Sequence, residues 1–227
     1  MEGLRKNFPN IKSLLFSVNE KVNDSLYDLN IELHNGEPYL TEVLHDLTFK
    51  IRPKSFFQTN PKQAELLYST ALQFADLSGD ENVYDLYCGT GTISLFLAKA
   101  CKQVVGIESV PQAIEDASEN AEVNSIGNCT FVVGDMKDEL NDAFTDKHGK
   151  PNVIVTDPPR AGMHGDVVQQ ILKLAPEKVV YVSCNPATQA RDLDLMREGY
   201  EVAKIQPVDM FPHTHHVENV VLLRRKD

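Results

Sequence analysis

Apolar positions follow two patterns along the chain, and the change comes at about Asn82. Residues 13–57 hold short alternating or apolar runs at 14–18, 39–44 and 47–51, broken by Asn35-Gly36, Pro38 and Pro53. Runs of this kind between turn residues predict strands, here a small β-rich segment with a hairpin near Asn35-Gly36. Pro61 then opens a helical stretch with Ala64, Leu67, Tyr68, Ala71, Leu72 and Ala75 on one face, ending before Gly79. From Asn82 onward, strand-like runs at 83–87, 104–107, 130–133, 153–156 and 179–183 alternate with helix candidates beginning near Thr92, Pro111, Gly165 and Thr188. Such alternation predicts right-handed βαβ crossovers and a parallel sheet covered on both faces, an α/β fold. The runs 200–205 and 218–223 are joined without helical periodicity, which predicts an antiparallel return. The expected architecture is a seven-stranded, mostly parallel sheet with its last strand reversed. The chain divides into a β-rich segment, residues 1–57, and a sheet-forming domain, residues 58–227.

Composition narrows the classes. With 42% hydrophobic and 24% charged residues in 227, the chain has the make-up of a globular protein, which excludes disordered and fibrous classes. The apolar runs fall far short of the roughly 20 residues a membrane helix needs, and the polar residues 1–10 predict no signal peptide. A net charge of -11 means that no broad basic surface for nucleic acid is written into the bulk composition; a local patch is compatible with it. Cys88, Cys101, Cys129 and Cys184 show no CxxC spacing, so neither a zinc ribbon nor a disulfide framework is expected. The cytoplasm is the default compartment.

Candidate chemistry lies at the carboxyl ends of the predicted strands. Asp85-Leu-Tyr-Cys-Gly-Thr-Gly-Thr92 closes the first strand of the sheet and opens a helix, and Gly89 and Gly91 let the backbone approach a ligand. A tight strand-to-helix turn would use the same spacing. Glu108, closing the next strand, is placed to accept both ribose hydroxyls of a nucleoside, as NAD or S-adenosylmethionine would require. Asp135, after the third, is placed to reach an adenine edge and favours S-adenosylmethionine, although such an Asp is also a common helix cap.

At the other strand ends, Asp157-Pro-Pro-Arg160 fixes a carboxylate on a stiff loop, unless it is only a rigid turn. Ser183-Cys184-Asn185-Pro186 sets Cys184 on the same rim as Glu108 and Asp157, with Arg191 as a cation to favour a thiolate. Cys88, inside the loop that wraps the ligand, is assigned a structural role, and Cys101 and Cys129 read as packing residues. His213-Thr-His-His-Val-Glu218 reads first as a polar loop. Its histidines are too close together to share one ion easily, so no metal site is expected. A further reading makes Glu218 a general base.

Five motifs together resemble a known family. Phe56-Phe-Gln-Thr-Asn-Pro61, Asp85-Leu-Tyr-Cys-Gly-Thr-Gly91, Asp157-Pro-Pro-Arg-Ala-Gly162, the stretch from Ser183 to Asp192, and Phe211 to Glu218 are similar to the RNA uracil-5-methyltransferases of tRNA and ribosomal RNA. The resemblance implies a class I S-adenosylmethionine-dependent fold, Rossmann-like, and an RNA substrate. It implies cofactor contacts at Gln58, Tyr87, Glu108 and Asp157, with further ones at Thr92 and Asp135, and the Gly89 loop as the cofactor's cradle. It also implies Cys184 as nucleophile and Glu218 as base. The family often has Asn where this chain has Thr92. Full-length members commonly carry an N-terminal RNA-binding barrel, and some an iron-sulfur cluster; neither is present, so the chain resembles the catalytic part of a longer enzyme, with residues 1–57 the remainder of a central β-rich domain. The chemistry suits these residue types: a thiolate adding to uracil C6 activates C5, and a carboxylate then removes the C5 proton. A paired uridine hides its ring, so the base must be unpaired or flipped out. The competing readings are an NAD-dependent oxidoreductase, which gives no reason for the acid-Pro-Pro, Cys and His-Val-Glu motifs on one rim, an amino-group methyltransferase, whose acid-Pro-Pro loop continues with an aromatic residue where this chain has Arg160, and a silent binding subunit, which would not need Cys184 and Glu218.

Overall fold

A computed structural model describes residues 1–23 and 28–227. After a short helix α1 (Glu2–Asn7), strands β1 (Ser13–Phe16) and β2 (Glu32–Gly36) pair antiparallel, and β3 (Leu40–Leu44) and β4 (Leu47–Ile51) form a separate antiparallel hairpin. The tight turn is therefore at His45-Asp46 and not near Asn35-Gly36. Gly36 instead ends β2 opposite Ser13, where a Cβ would stand 2.0 Å from the Lys12 carbonyl oxygen, so its glycine serves a close backbone approach. Tertiary contacts set the real turn: His45, at φ 52°, donates its N–H to Glu65, and its ring lies 3.1 Å from the Ser69 hydroxyl and edge-on to Phe96.

Helix α2 (Pro61–Ala75) starts at the Asn60 cap with proline in its first turn, as its sequence predicts. The main domain then runs β5 (Asn82–Leu86), α3 (Thr92–Ala98), β6 (Gln103–Glu108), α4 (Pro111–Val123), β7 (Cys129–Val133), α5 (Met136–Glu139), α6 (Asp142–His148), β8 (Val153–Thr156), α7 (Gly165–Leu174), β9 (Lys178–Ser183), α8 (Pro186–Met196), β10 (Tyr200–Val208) and β11 (Glu218–Arg225). The sheet order is β10-β11-β9-β8-β5-β6-β7, with β11 antiparallel to both neighbours and the other strands parallel. Alternate residues of each strand feed two cores. Val83, Val104, Val153, Val155, Val180 and Val182 face α2, α3 and the β3–β4 hairpin, and Tyr84, Leu86, Val105, Ile107, Ile154 and Tyr181 face α5 to α8. Leu44, Leu47 and Phe49 of the hairpin belong to the first of these cores. The order reverses between β5 and β8, which opens a crevice at their carboxyl ends, the usual ligand position in an open α/β sheet. Among the described residues no helix is long and apolar enough to cross a membrane.

Candidate active site

The loop after β5 enters this crevice in a costly conformation. Tyr87 has φ 61°, a left-handed value that L side chains with a Cβ seldom adopt, followed by Gly89 at φ 54° and Gly91 at φ 78°. A Cβ on Gly89 would meet nothing within 4 Å, so the loop faces open space there. On Gly91 it would stand 3.0 Å from the Ala117 Cβ, so that glycine admits α4. Cys88 turns inward over Gly106, and burial, with Asp85 and Glu108 adding, pushes its thiol far up. Glu108 ends β6 beside this loop, its Oε1 accepting from the Val110 N–H at 3.0 Å and the Ser109 hydroxyl at 3.1 Å and its Oε2 from the Gly89 N–H at 3.3 Å, which leaves a lone pair free on Oε2. Thr92 is buried, its hydroxyl 3.4 Å from that of Thr90. Asp135 is exposed and caps α5 through the Lys137 N–H. Gln58 is buried between Phe57, whose ring tilts against Phe49, and Asn60, which donates to the Met210 carbonyl and so ties this stretch to the β10–β11 connection.

The reacting end lies on the next strands of the same rim. Asp157 follows β8 with its N–H donating to the Leu86 carbonyl, and burial, with Glu218 and Asp85 adding, raises its carboxyl well above the ordinary range. Register places the nucleophile and base candidates together: Asn219 of β11 pairs with Ser183 of β9, so Cys184, one residue past Ser183, and Glu218, one residue before Asn219, meet across the antiparallel ladder. Burial, and then Glu218, push the Cys184 thiol up, whereas the Arg160 guanidinium beside it pulls the other way. Burial also raises Glu218, again opposed by Arg160. Arg160, Cys184, Asn185 and Pro186 line a pocket of about 350 Å³ with His215, His216 and Val217.

Arg191 does not supply the cation that its sequence position suggests. It binds the buried Asp192 through Nε and Nη2 and reaches the Ala161 carbonyl at 3.0 Å, while Asp192 also accepts from the Met163 N–H at 2.8 Å and the Tyr181 hydroxyl at 2.7 Å. This clamp fixes the loop that follows Asp157. The cation at Cys184 is Arg160, whose signal in the sequence was only its place after two prolines. Among the described residues no group of three or more His, Cys, Asp or Glu side chains stands ready to hold a metal ion.

A family model described as tRNA (uracil-5-)-methyltransferase matches residues 31–226. The chain belongs to that family. It is 56% identical to a protein of Bacteroides thetaiotaomicron named an uncharacterized RNA methyltransferase, over 98% of this chain and 49% of that protein, and 56% identical to a likewise named protein of Porphyromonas gingivalis, over 99% and 49%. Among solved structures it is similar to the Pyrococcus abyssi tRNA (uracil-54, C5)-methyltransferase in complex with S-adenosyl-L-homocysteine, with a TM-score of 0.82 and 35% identity, covering 96% of this chain and 52% of that one. The chain thus spans about half the length of the curated relatives it matches.

The sheet order and this likeness make the fold of the chain that of the class I S-adenosylmethionine-dependent methyltransferases, with S-adenosylmethionine as cofactor. Its own residues fit that group. There is open space over Gly89, free acceptor capacity on Glu108, and a buried Asp85 whose Oδ1 has no hydrogen-bond partner beneath the loop.

Proposed function

We propose that this chain is the catalytic part of an S-adenosylmethionine-dependent RNA methyltransferase acting on uracil C5 in tRNA or ribosomal RNA, with Cys184 as nucleophile and Glu218 as base. The observation that carries the reading is the β9–β11 register, which sets Cys184 against Glu218 with Arg160 beside them. Glu108 would take the ribose hydroxyls, the Tyr87–Gly91 turn would line the cofactor's path, and Gln58, Asp157, Thr92 and Asp135 would complete its surroundings. Bound S-adenosylmethionine supplies an electrophilic methyl group.

The chain's own residues do the rest. Cys184, as a thiolate stabilised by Arg160, forms a bond to C6 of the uracil, and the C5=C6 electron pair moves toward C5 and the adjoining carbonyl. C5 then has the electron density to take the methyl. Glu218 removes the C5 proton, the C–H pair re-forms C5=C6, and the C6–S bond breaks to return the thiolate. A carboxyl raised by burial suits a group that must hold this proton briefly and release it. A paired uridine hides both faces of its ring, so Cys184 would act on an unpaired or flipped uridine entering the pocket beside it. The four cysteines are free thiols, in keeping with a reducing, cytoplasmic setting.

RNA containing 5-fluorouridine tests the order of steps, because fluorine cannot leave as a cation. The unmodified chain, given S-adenosylmethionine, should form a denaturation-resistant complex whose linkage maps to Cys184 by peptide mass spectrometry. Cys184→Ala should form none. Glu218→Gln should accumulate the methylated adduct on ordinary RNA, since addition and methyl transfer proceed without the base. Methylation surviving in Cys184→Ala, or an adduct on Cys88, would overturn the assignment.

A further inference from the structure

The loop between β10 and β11 places His216 against the cation that serves the nucleophile. Arg160 Nη2 stands 2.9 Å from His216 Nδ1. A guanidinium has only donors, so Nδ1 must be the acceptor, and the imidazole is the neutral tautomer with its proton on Nε2. The backbone of Arg160 is held independently: its carbonyl accepts from the Asn185 amide at 3.1 Å and from the Thr188 hydroxyl at 3.1 Å, both on the segment that follows Cys184. The main chain of Arg160 is thus anchored to the nucleophile's own strand end and helix. Its exposed side chain would be free to swing into solvent without a partner at the tip.

We infer that His216 is a positioning residue, whose Nδ1 holds the Arg160 guanidinium at Cys184 and so keeps the nucleophile's counter-cation in place. The inference rests on Cys184 being the nucleophile of the proposed function. It also assigns a role to the His213–His216 cluster that metal binding does not give it. His215 packs against His216, the two rings tilted by 41° with centroids 4.2 Å apart. Desolvation, and then the neighbouring His215 and Arg160, keep the His216 imidazole below the usual histidine range, so it is neutral at neutral pH and available as an acceptor. Protonation in acid would remove the lone pair and set two cations against each other.

Alkylation by iodoacetamide reads this arrangement without RNA: the Cys184 thiolate forms the new carbon–sulfur bond as iodide leaves, and peptide mass spectrometry reports the rate at Cys184 across pH on the intact chain. His216→Leu should slow alkylation near neutral pH by roughly threefold to tenfold, the size of the net contribution of an ordinary hydrogen bond, since the contact acts on the thiolate only through Arg160, and move the profile to higher pH. His216→Asn, which keeps an acceptor but does not titrate, should recover most of the rate and lack the additional acid-side loss of the parent chain. In an Arg160→Met background His216→Leu should add nothing, because there is no cation left to position. A His216→Leu chain that alkylates like the parent, or an effect of full size in the Arg160→Met background, would overturn the inference. A chain that alkylates as expected but forms no RNA adduct would instead refute the proposed function and leave the role of His216 standing.

Discussion

Asp85 is fully buried, accepts a 2.5 Å hydrogen bond from the Ser94 hydroxyl and leaves its other oxygen without a partner. Burial raises its carboxyl from 3.8 to about 7, so the folded chain holds this proton more tightly than the unfolded chain. Stability from this group is complete below about pH 4 and is lost as pH rises to about 7, by at most ~4 kcal/mol for a shift of that size. Asp85→Asn keeps an acceptor for Ser94 and has no charge to desolvate. Its melting temperature relative to the parent, measured without cofactor, should therefore rise between about pH 4 and about pH 7 and level off above. A difference that stays constant with pH would show that Asp85 does not titrate as its surroundings dictate. At this scale the sequence pointed to Cys184 and Glu108 as candidates through their places at strand ends, and to Glu218 through the loop before the last strand. It could not separate Arg160 from Arg191, because which of two cations reaches a thiol depends on how a loop folds back, and here Gly162 at φ 80° and the buried Asp192 settle that.

One face of α4 makes the polar part of the joint between β4 and the sheet domain. Asn124 exchanges hydrogen bonds with both backbone groups of Thr48, and Asn120 accepts the Lys50 N–H at 2.8 Å while donating to the Thr90 carbonyl of the loop after β5 at 3.2 Å. Helix side chains thus do for β4 what a neighbouring strand would do. Arg52 and Ser55 add bonds to the buried Asp116, and Lys50 and Arg52 bind Glu119. Asn120→Ala strands the buried partners of a fully buried amide and should cost about 1–3 kcal/mol, whereas Asn124→Ala, half-exposed, should cost less. Urea unfolding of the two variants checks this, and an Asn124→Ala loss exceeding that of Asn120→Ala would contradict it. Elements with strong periodicity were legible: β8 lies where its apolar run predicts, and α2 opens at Pro61. Helices α5 and α6 were not, since Met136–Glu139 and Asp142–His148 are too short and polar to show a repeating face. The His45-Asp46 turn also escaped, because contacts from α2 and α3 hold it and no glycine marks it.

Taken whole, the molecule has a net charge of -11 and spans about half the length of its curated relatives. A chain with so few spare cations neutralises few phosphates, and counterion release then contributes little to affinity. The 227-residue chain should bind a uridine-containing single-stranded RNA weakly and lose that binding as salt is raised. Fluorescence anisotropy at two ionic strengths measures it; tight binding that survives added salt would mean that this half of the protein suffices for recognition.

The pairing of β9 with β11 has a consequence for how such a protein can vary. Thirty-four positions separate Cys184 from Glu218 along the chain, yet the space between them is measured by rungs of a backbone ladder and not by the length of α8 or of the loop at 209–217. Residues can be gained or lost in that excursion while the two side chains stay at the same spacing. A slip of one residue in β11 is different: it would turn Glu218 to the opposite face of the sheet and exchange the two cores' side chains along the whole strand. The alternation of Val220 and Leu222 toward one core with Val221 and Leu223 toward the other therefore guards the alignment of Cys184 with Glu218 from within the hydrophobic interior.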